Sequence, residues 1–169
     1  MNQAPFAIKA TFGSYRGALK FSLEAMNRLR QTYSAHPHIR QIAAELVRGL
    51  PDRDYGAQAD ALYRYVRDNI RYIHDIDNVE TIQTPLETLR VMGGDCDCQV
   101  VLLSALASSI GMVHRFAMIS DGSDGTWTHI YVQFLVNGRW MDADPIAPHG
   151  QPFGQGPTSG QRRAFYEFD

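Results

Sequence analysis

The spacing of hydrophobic residues changes along the chain, from a helical repeat in the first two thirds to a strand-like alternation afterwards. Apolar positions that recur about every 3.6 residues predict amphipathic helices. Thr84 and Pro85 are typical of a helix start, because Thr caps the first turn and Pro fits its first position. The pattern predicts helices at about residues 15–33, 37–50, 58–70, 84–93 and 96–110.

The last third of the chain predicts a small antiparallel sheet. Residues 114–120, 127–136 and 139–142 have strand-like composition. Asn137–Gly138, between the last two segments, is a strong signal for a two-residue hairpin turn. The polar segment 75–84 is predicted to be a loop. Helices followed by an antiparallel sheet define an α+β fold, with N-terminal helices packed on the sheet.

Length and charge narrow the class of protein. The 169 residues fit one domain, since domains commonly contain about 100–200 residues. With 16 basic and 18 acidic side chains the net charge is -2, which does not predict a nucleic acid or an anionic membrane as partner. The apolar run 98–113 is too short and too polar to span a bilayer, and residues 1–9 contain no signal-peptide run. We therefore expect a cytoplasmic protein that binds neither nucleic acid nor membranes.

The two cysteines, Cys96 and Cys98, lie too close in sequence to form the disulfide framework of a small secreted protein. Cys96 follows two glycines and Asp95 at the start of the fifth predicted helix. Unpaired N–H groups and the positive end of the helix dipole favour a thiolate at such a position. This context predicts a nucleophile. The alternative is a buried, inert thiol, which is how most free cysteines occur.

A histidine and an aspartate follow the cysteine at positions that suit this chemistry. A nucleophilic thiol needs a base, and the base needs a group that orients it. His129 lies in the second predicted strand, and Asp144 follows the third. The predicted hairpin sets Asp144 opposite Tyr131, two residues from His129. A diagonal contact, or a slip of about two residues, would bring His129 and Asp144 together on one face.

These residues occur in a longer run, 63–145, that resembles the transglutaminase-like superfamily of cysteine peptidases and acyltransferases. The resemblance is carried by Gly94-Asp95-Cys96 at a helix start, His129 in a strand, and Asp144-Pro145 at a strand end. The segment 80–85 looks like a subgroup common in the genomes of phages and other mobile elements.

The resemblance implies a papain- or transglutaminase-like core at about 55–146. A helical extension at 1–54 would precede this core, and a Gly/Pro-rich tail at 147–169 would follow it, all within one domain, 1–169. The phage-like segment adds phage structural proteins as candidate partners and the virion as a second location.

The resemblance also implies roles for individual residues. Cys96 would be the nucleophile, His129 the base and later the acid, and Asp144 the group that orients the imidazole. The reaction would pass through a thioester on a protein or peptide substrate, without a metal or other cofactor. The Cys96 backbone N–H would stabilise the oxyanion in part, with Gln83 as a candidate side-chain donor. Cys98 is expected not to be catalytic, because it would point about 200° away from Cys96 in a helix.

Two other interpretations remain open. The same fold could be a catalytically silent interaction or structural module, for example in a phage virion. Metal binding is the other. Cys96, Cys98 and His129 lack a fourth ligand at the usual zinc spacing, and the carboxylates of segment 75–80 lack the spacing of an EF-hand calcium loop. We therefore expect no zinc or EF-hand site, and whether calcium binds at segment 75–80 in another geometry stays open.

Overall fold

The helices and the sheet follow one another along the chain in the order that the hydrophobic pattern predicts. A computed structural model of the protein describes residues 7–10, 15–75, 80–120, 126–158 and 162–168. The helices in these ranges are α1 (Tyr15–Ser34), α2 (Pro37–Leu46), α3 (Tyr55–Asn69), α4 (Pro85–Val91) and α5 (Cys96–Ser109). The strands are β1 (Ala7–Ala10), β2 (Arg71–Tyr72), β3 (Glu80–Gln83), β4 (Gly93–Gly94), β5 (His114–Ser120), β6 (His129–Val136), β7 (Arg139–Ala143) and β8 (Arg162–Tyr166). The predicted α+β class is confirmed.

Side-chain caps explain where several helices begin. The Thr84 hydroxyl accepts a hydrogen bond from the Glu87 N–H at 3.2 Å, as the Thr-Pro signal predicts for α4. Helix α3 begins at Tyr55, three residues before the predicted start. The Asp54 carboxylate accepts a hydrogen bond from the Ala57 N–H at 3.0 Å, so the cap lies ahead of the first apolar position that the periodicity detects.

The larger sheet has the antiparallel order β7-β6-β5-β8. Asn137 and Gly138 both have positive φ, at 50° and 78°, and the turn pairs Val136 with Arg139 as predicted. One correction is strand β8, since the sequence predicts a Gly/Pro-rich tail at 147–169 and assigns no strand within it. Because β8 pairs with the distant β5, the local pattern of the tail, rich in Gly and Pro, gave no sign of it.

A second correction concerns the polar segment 75–84, which was predicted to be a loop. Its last residues form β3, which pairs antiparallel with β1 at the start of the described chain. A two-residue parallel ladder also joins β2 to β4. Both pairings connect segments far apart in sequence, so they depend on contacts that local propensity does not report.

Helix α5 forms the centre of the core. Every residue from Cys98 to Ala107 is buried, and the helix packs against the other four helices and against β6. A helix that is apolar on all sides is typical of such a central position. Within the described ranges, no helix combines the length and apolar content needed to cross a membrane.

Candidate active site

Cys96 is the first residue of the central helix, and two features hold the chain in place there. Asp95 caps α5, with its carboxylate accepting a hydrogen bond from the Cys98 N–H at 3.0 Å. Gly94, in β4, is buried so tightly that a Cβ there would lie 2.6 Å from the Cys98 Cβ. Only glycine lets the strand pass this close to the helix start. The cap and the glycine together determine where the Cys96 side chain enters the structure.

His129 and Asp144 meet at the end of the hairpin formed by β6 and β7. His129 is the first residue of β6, and Asp144 directly follows β7. The His129 Nε2 lies 2.8 Å from the Asp144 Oδ2. No register slip is involved, because Val132 pairs with Ala143 in the predicted register. The pair is the diagonal contact that the hairpin geometry allows.

The contact determines how the imidazole can act. A carboxylate only accepts hydrogen bonds, so His129 Nε2 carries the proton and Nδ1 is the acceptor nitrogen of the neutral ring. Asp144 is 6% exposed, and its second oxygen accepts a hydrogen bond from the Ile146 N–H at 3.2 Å. The carboxylate is therefore held on both sides and fixes the plane of the ring.

Cys96 and His129 line the same cavity, which has a volume of about 240 Å³. Asp95 and Asp97, the neighbours of Cys96 in the sequence, also line it, and the Asp97 carboxylate contacts the thiol. The remaining lining residues come from α1, β5 and the segment that enters β6: Leu19, Ser22, Leu23, Met26, Met118, Trp127, Thr128 and Ile130. The structure thus brings the predicted thiol, imidazole and carboxylate together at one cavity, with Asp144 behind the ring.

Burial raises the pKa of the Cys96 thiol well above its ordinary value, and the negative charges of Asp97 and Asp95 raise it further. Its Sγ lies 3.5 Å from the Asp97 Oδ1, to which the thiol donates. A backbone hydrogen bond from Ile130 acts in the opposite direction. Burial and the two carboxylates therefore oppose the preference for a thiolate that the helix start alone predicts.

Cys98 points away from this cavity and into the core, as predicted. It is 1% exposed, donates to the Thr81 carbonyl at 3.4 Å, and accepts from the Gln83 N–H at 3.3 Å. Burial raises the pKa of its thiol. Both contacts tie the first turn of α5 to β3.

Gln83 is not among the described residues that line the cavity. Its side-chain oxygen accepts a hydrogen bond from the Thr88 hydroxyl at 3.2 Å, which keeps the amide at the start of α4. The prediction that Gln83 is an oxyanion donor therefore has no support in this geometry. Strand β3 turns its end towards Cys98 and α4 instead of towards Cys96.

Tyr72 is a neighbour of the site that the sequence analysis did not single out. It pairs with Gly94 across the β2–β4 ladder, two residues before Cys96. Burial raises the pKa of its phenol, and so do the negative charges of Asp95 and Asp97. The segment that carries Tyr72 belongs to the resembling run, but its pairing with Gly94 has no local signal.

The described residues offer no candidate metal centre. Among them, no three His, Cys, Asp or Glu side chains are grouped so that they could hold an ion. Residues 76–79, which include part of the acidic segment considered for calcium, lie outside the described ranges.

The fold and the cavity define a class of mixed helix-and-sheet proteins with a cysteine at a helix start facing a histidine–aspartate hairpin. The chain belongs to the transglutaminase-like superfamily, whose sequence profile matches residues 40–145, more than half of the chain. No curated protein sequence matches it significantly.

Solved structures share the fold at low sequence identity. One is a Parabacteroides distasonis protein provisionally assigned as a protease, with TM-score 0.57 and 12% identity over 78% of this chain and 27% of the other. Another is a Cytophaga hutchinsonii protein provisionally assigned as a cysteine protease, with TM-score 0.51 and 14% identity over 80% of this chain and 48% of the other. The chain thus spans less than half of either relative.

Proposed function

We propose that the protein is a cysteine-dependent enzyme that hydrolyses an amide or transfers its acyl group, acting on a protein or peptide. The observation that carries this proposal is the 2.8 Å contact between His129 and Asp144 at the cavity that holds Cys96. Membership of the transglutaminase-like superfamily supports it, as do the protease assignments of two proteins with a similar fold.

The raised pKa of Cys96 determines the first step that we propose. Because a raised pKa favours the neutral thiol, we propose that His129 Nδ1 removes its proton as the sulfur attacks the amide carbonyl, and the C–S bond forms. Asp144 stabilises the imidazolium that results. When the C–N bond breaks, the imidazolium gives its proton to the leaving amine, and a thioester remains on Cys96. Water or a second amine then attacks the thioester, with His129 again accepting and returning a proton.

The Cys96 N–H is the candidate donor for the oxyanion of the tetrahedral intermediate. It belongs to the first turn of α5, where backbone donors lack intrahelical partners.

The enzyme proposal is tested by comparing Cys96→Ala with Cys98→Ala. Cys96→Ala should abolish turnover of a mixed peptide substrate, whereas Cys98→Ala should keep it within a few-fold. Thermal unfolding of both variants shows whether the fold is retained. Adding hydroxylamine to the wild type tests for the thioester intermediate, because hydroxylamine attacks a thioester and gives a hydroxamate. Turnover by folded Cys96→Ala protein would contradict the proposal.

One observation favours the silent module instead, namely the buried thiol with its raised pKa. In that case Cys96 would react with iodoacetamide no faster than an unperturbed thiol, and His129→Ala would not change the rate. For an active site we expect the wild type to react faster than His129→Ala, since the imidazole accepts the thiol proton.

A further inference from the structure

The cavity beside Cys96 has an apolar part that the proton transfers do not use. Leu19, Leu23 and Met26 form one wall, and all three project from α1. Leu23 and Met26 are 7% and 1% exposed, so this wall is part of the packed core and is not a mobile surface. Trp127, which precedes β6, and Ile130, within β6, also line the cavity.

The size and charge of the cavity restrict what can enter it. A cavity of about 150 Å³ lined by aliphatic residues is enough to bind benzene, so the 240 Å³ here can hold an aromatic or branched aliphatic side chain. The charged side chains of the lining are Asp95 and Asp97, beside the thiol. They repel an acidic side chain, whereas an apolar one meets the α1 wall.

We propose that this part of the cavity binds the apolar side chain of a peptide residue next to the amide that Cys96 attacks. The inference rests on the proposed function. The wall comes from residues 15–34, which precede the segment 40–145 that the superfamily profile matches. Helix α1 therefore determines substrate specificity.

Binding can be measured without turnover in protein that carries Cys96→Ala and Trp140→Phe. The chain has two tryptophans, so the emission of this protein reports Trp127 in the cavity wall. Blocked pentapeptides Ala-Ala-X-Ala-Ala, with X as Leu, Phe, Gly or Asp, are the probes. The Leu and Phe peptides should bind at least about tenfold more tightly than the Gly peptide, the discrimination expected of an apolar pocket, and the Asp peptide should bind most weakly. Equal affinities would overturn the proposal.

Variants of α1 show whether its wall causes the preference. Ser22 lines the cavity, so Ser22→Leu should fill it and bring the Leu and Gly peptides to equal affinity. The matched control is Lys20→Leu, which adds the same side chain at an exposed position of the same helix and should leave the preference intact. Leu19→Ala enlarges the cavity and should shift the preference towards Phe, which provides a second test if Ser22→Leu does not fold. An unchanged preference in folded Ser22→Leu protein would overturn the proposal.

Labelling of wild-type Cys96 with iodoacetamide, compared with His129→Ala, tests the proposed function separately. Selective binding with an unreactive thiol supports the pocket and contradicts the enzyme. A reactive thiol without selective binding supports the enzyme and contradicts the pocket.

Discussion

The Nε2 of His129 lies 2.8 Å from the Oδ2 of Asp144, although the two residues are not opposite one another across the hairpin. Asp144 lies just past the end of β7, and His129 opens β6, so the contact crosses the hairpin diagonally. Asp144 is almost fully buried. Because the contact engages Nε2, Nδ1 is the nitrogen that would act as the base in the proposed reaction.

Asp144→Ala should lower kcat by about 10²–10⁴-fold, the range of a general acid–base contribution, because the imidazole loses its orientation and its charge partner. Asp144→Asn should lower kcat less than Asp144→Ala does, since an amide oxygen can still accept a hydrogen bond from His129 Nε2. The steady-state rates of both variants measure this order.

The control for Asp144 is Asp142→Asn. Asp142 lies in β7, accepts a hydrogen bond at 2.6 Å from Gln133 on the neighbouring strand β6, and is not among the described residues that line the cavity. Its substitution should leave kcat within a few-fold. An equal fall in kcat in Asp144→Asn and Asp144→Ala would show that the oxygen that accepts from His129 Nε2 does not determine the rate.

Asp97→Asn should lower the pKa of the Cys96 thiol, because a negative charge that disfavours the thiolate is removed. A larger thiolate fraction near neutral pH speeds alkylation, by about tenfold for each unit that the pKa falls while the thiol remains mostly protonated. The measurement is the iodoacetamide rate of Cys96 against pH, with the modified residue identified by mass spectrometry.

The control is Glu45→Gln. Glu45 is an acidic residue of α2 that accepts a hydrogen bond from Gln41, and its substitution should not shift the pH profile of Cys96 alkylation. A profile that moves to higher pH in Asp97→Asn would show that the Asp97 side chain favours the thiolate instead.

The contact between His129 and Asp144 could be predicted because a local signal determines it. Asn137 and Gly138 specify a two-residue turn, the turn sets the register, and the register leaves the two side chains a diagonal apart. The start of α5 was predictable for the same reason, since Asp95 and the two glycines are neighbours of Cys96 in the sequence.

Other features depend on contacts between distant segments. The α1 wall, the pairing of Tyr72 with Gly94, and strand β8 have no signal in the residues that form them. The surroundings of the Cys96 thiol have the same origin. A helix start alone favours the thiolate, whereas the burial of the sulfur and the approach of Asp97, which raise the pKa of the thiol, depend on tertiary packing.

His114 should make the fold less stable in acid. Burial lowers the pKa of His114 to about 4, and the charge of the nearby Arg30 lowers it further. The hydrogen bond to the Met112 carbonyl acts in the opposite direction. The unfolded chain binds this proton below about pH 6.5 and the folded protein only near pH 4, so stability is complete above pH 6.5 and falls as the pH drops through that window. The free energy of unfolding should decrease by about 2 kcal/mol between pH 7 and pH 5.

Urea unfolding at the two pH values measures that difference, and His114→Phe should reduce it, since no ionisable group remains at the site. Exposed His38 provides the control, and His38→Phe should keep the full pH dependence. An equal pH dependence in wild type and His114→Phe would assign the acid sensitivity to other groups.

Arg67 should support catalysis from outside the cavity. Its buried guanidinium donates to the Gln151 carbonyl and pairs with Asp68 at 2.7 Å. These contacts hold residues 145–151 against α3. The same segment contains Ile146, whose N–H donates to the Asp144 carboxylate, and Ala147, whose N–H donates to the Asp144 carbonyl. Arg67→Met removes the charged donor to the Gln151 carbonyl, which keeps its hydrogen bond from the Tyr63 hydroxyl at 3.3 Å, and should lower the free energy of unfolding by about 1–3 kcal/mol.

Because the Arg67 contact acts through the position of Asp144, kcat should fall in Arg67→Met while KM changes little, and Arg67→Lys should recover part of the loss. The matched control is Arg64→Met, one helical turn away. It removes the ion pair between the exposed Arg64 and Asp60, so the free energy of unfolding should change by less than about 1 kcal/mol. Steady-state kinetics and urea unfolding of the three variants provide the test. A rise in KM at constant kcat would instead indicate that Arg67 contacts the substrate.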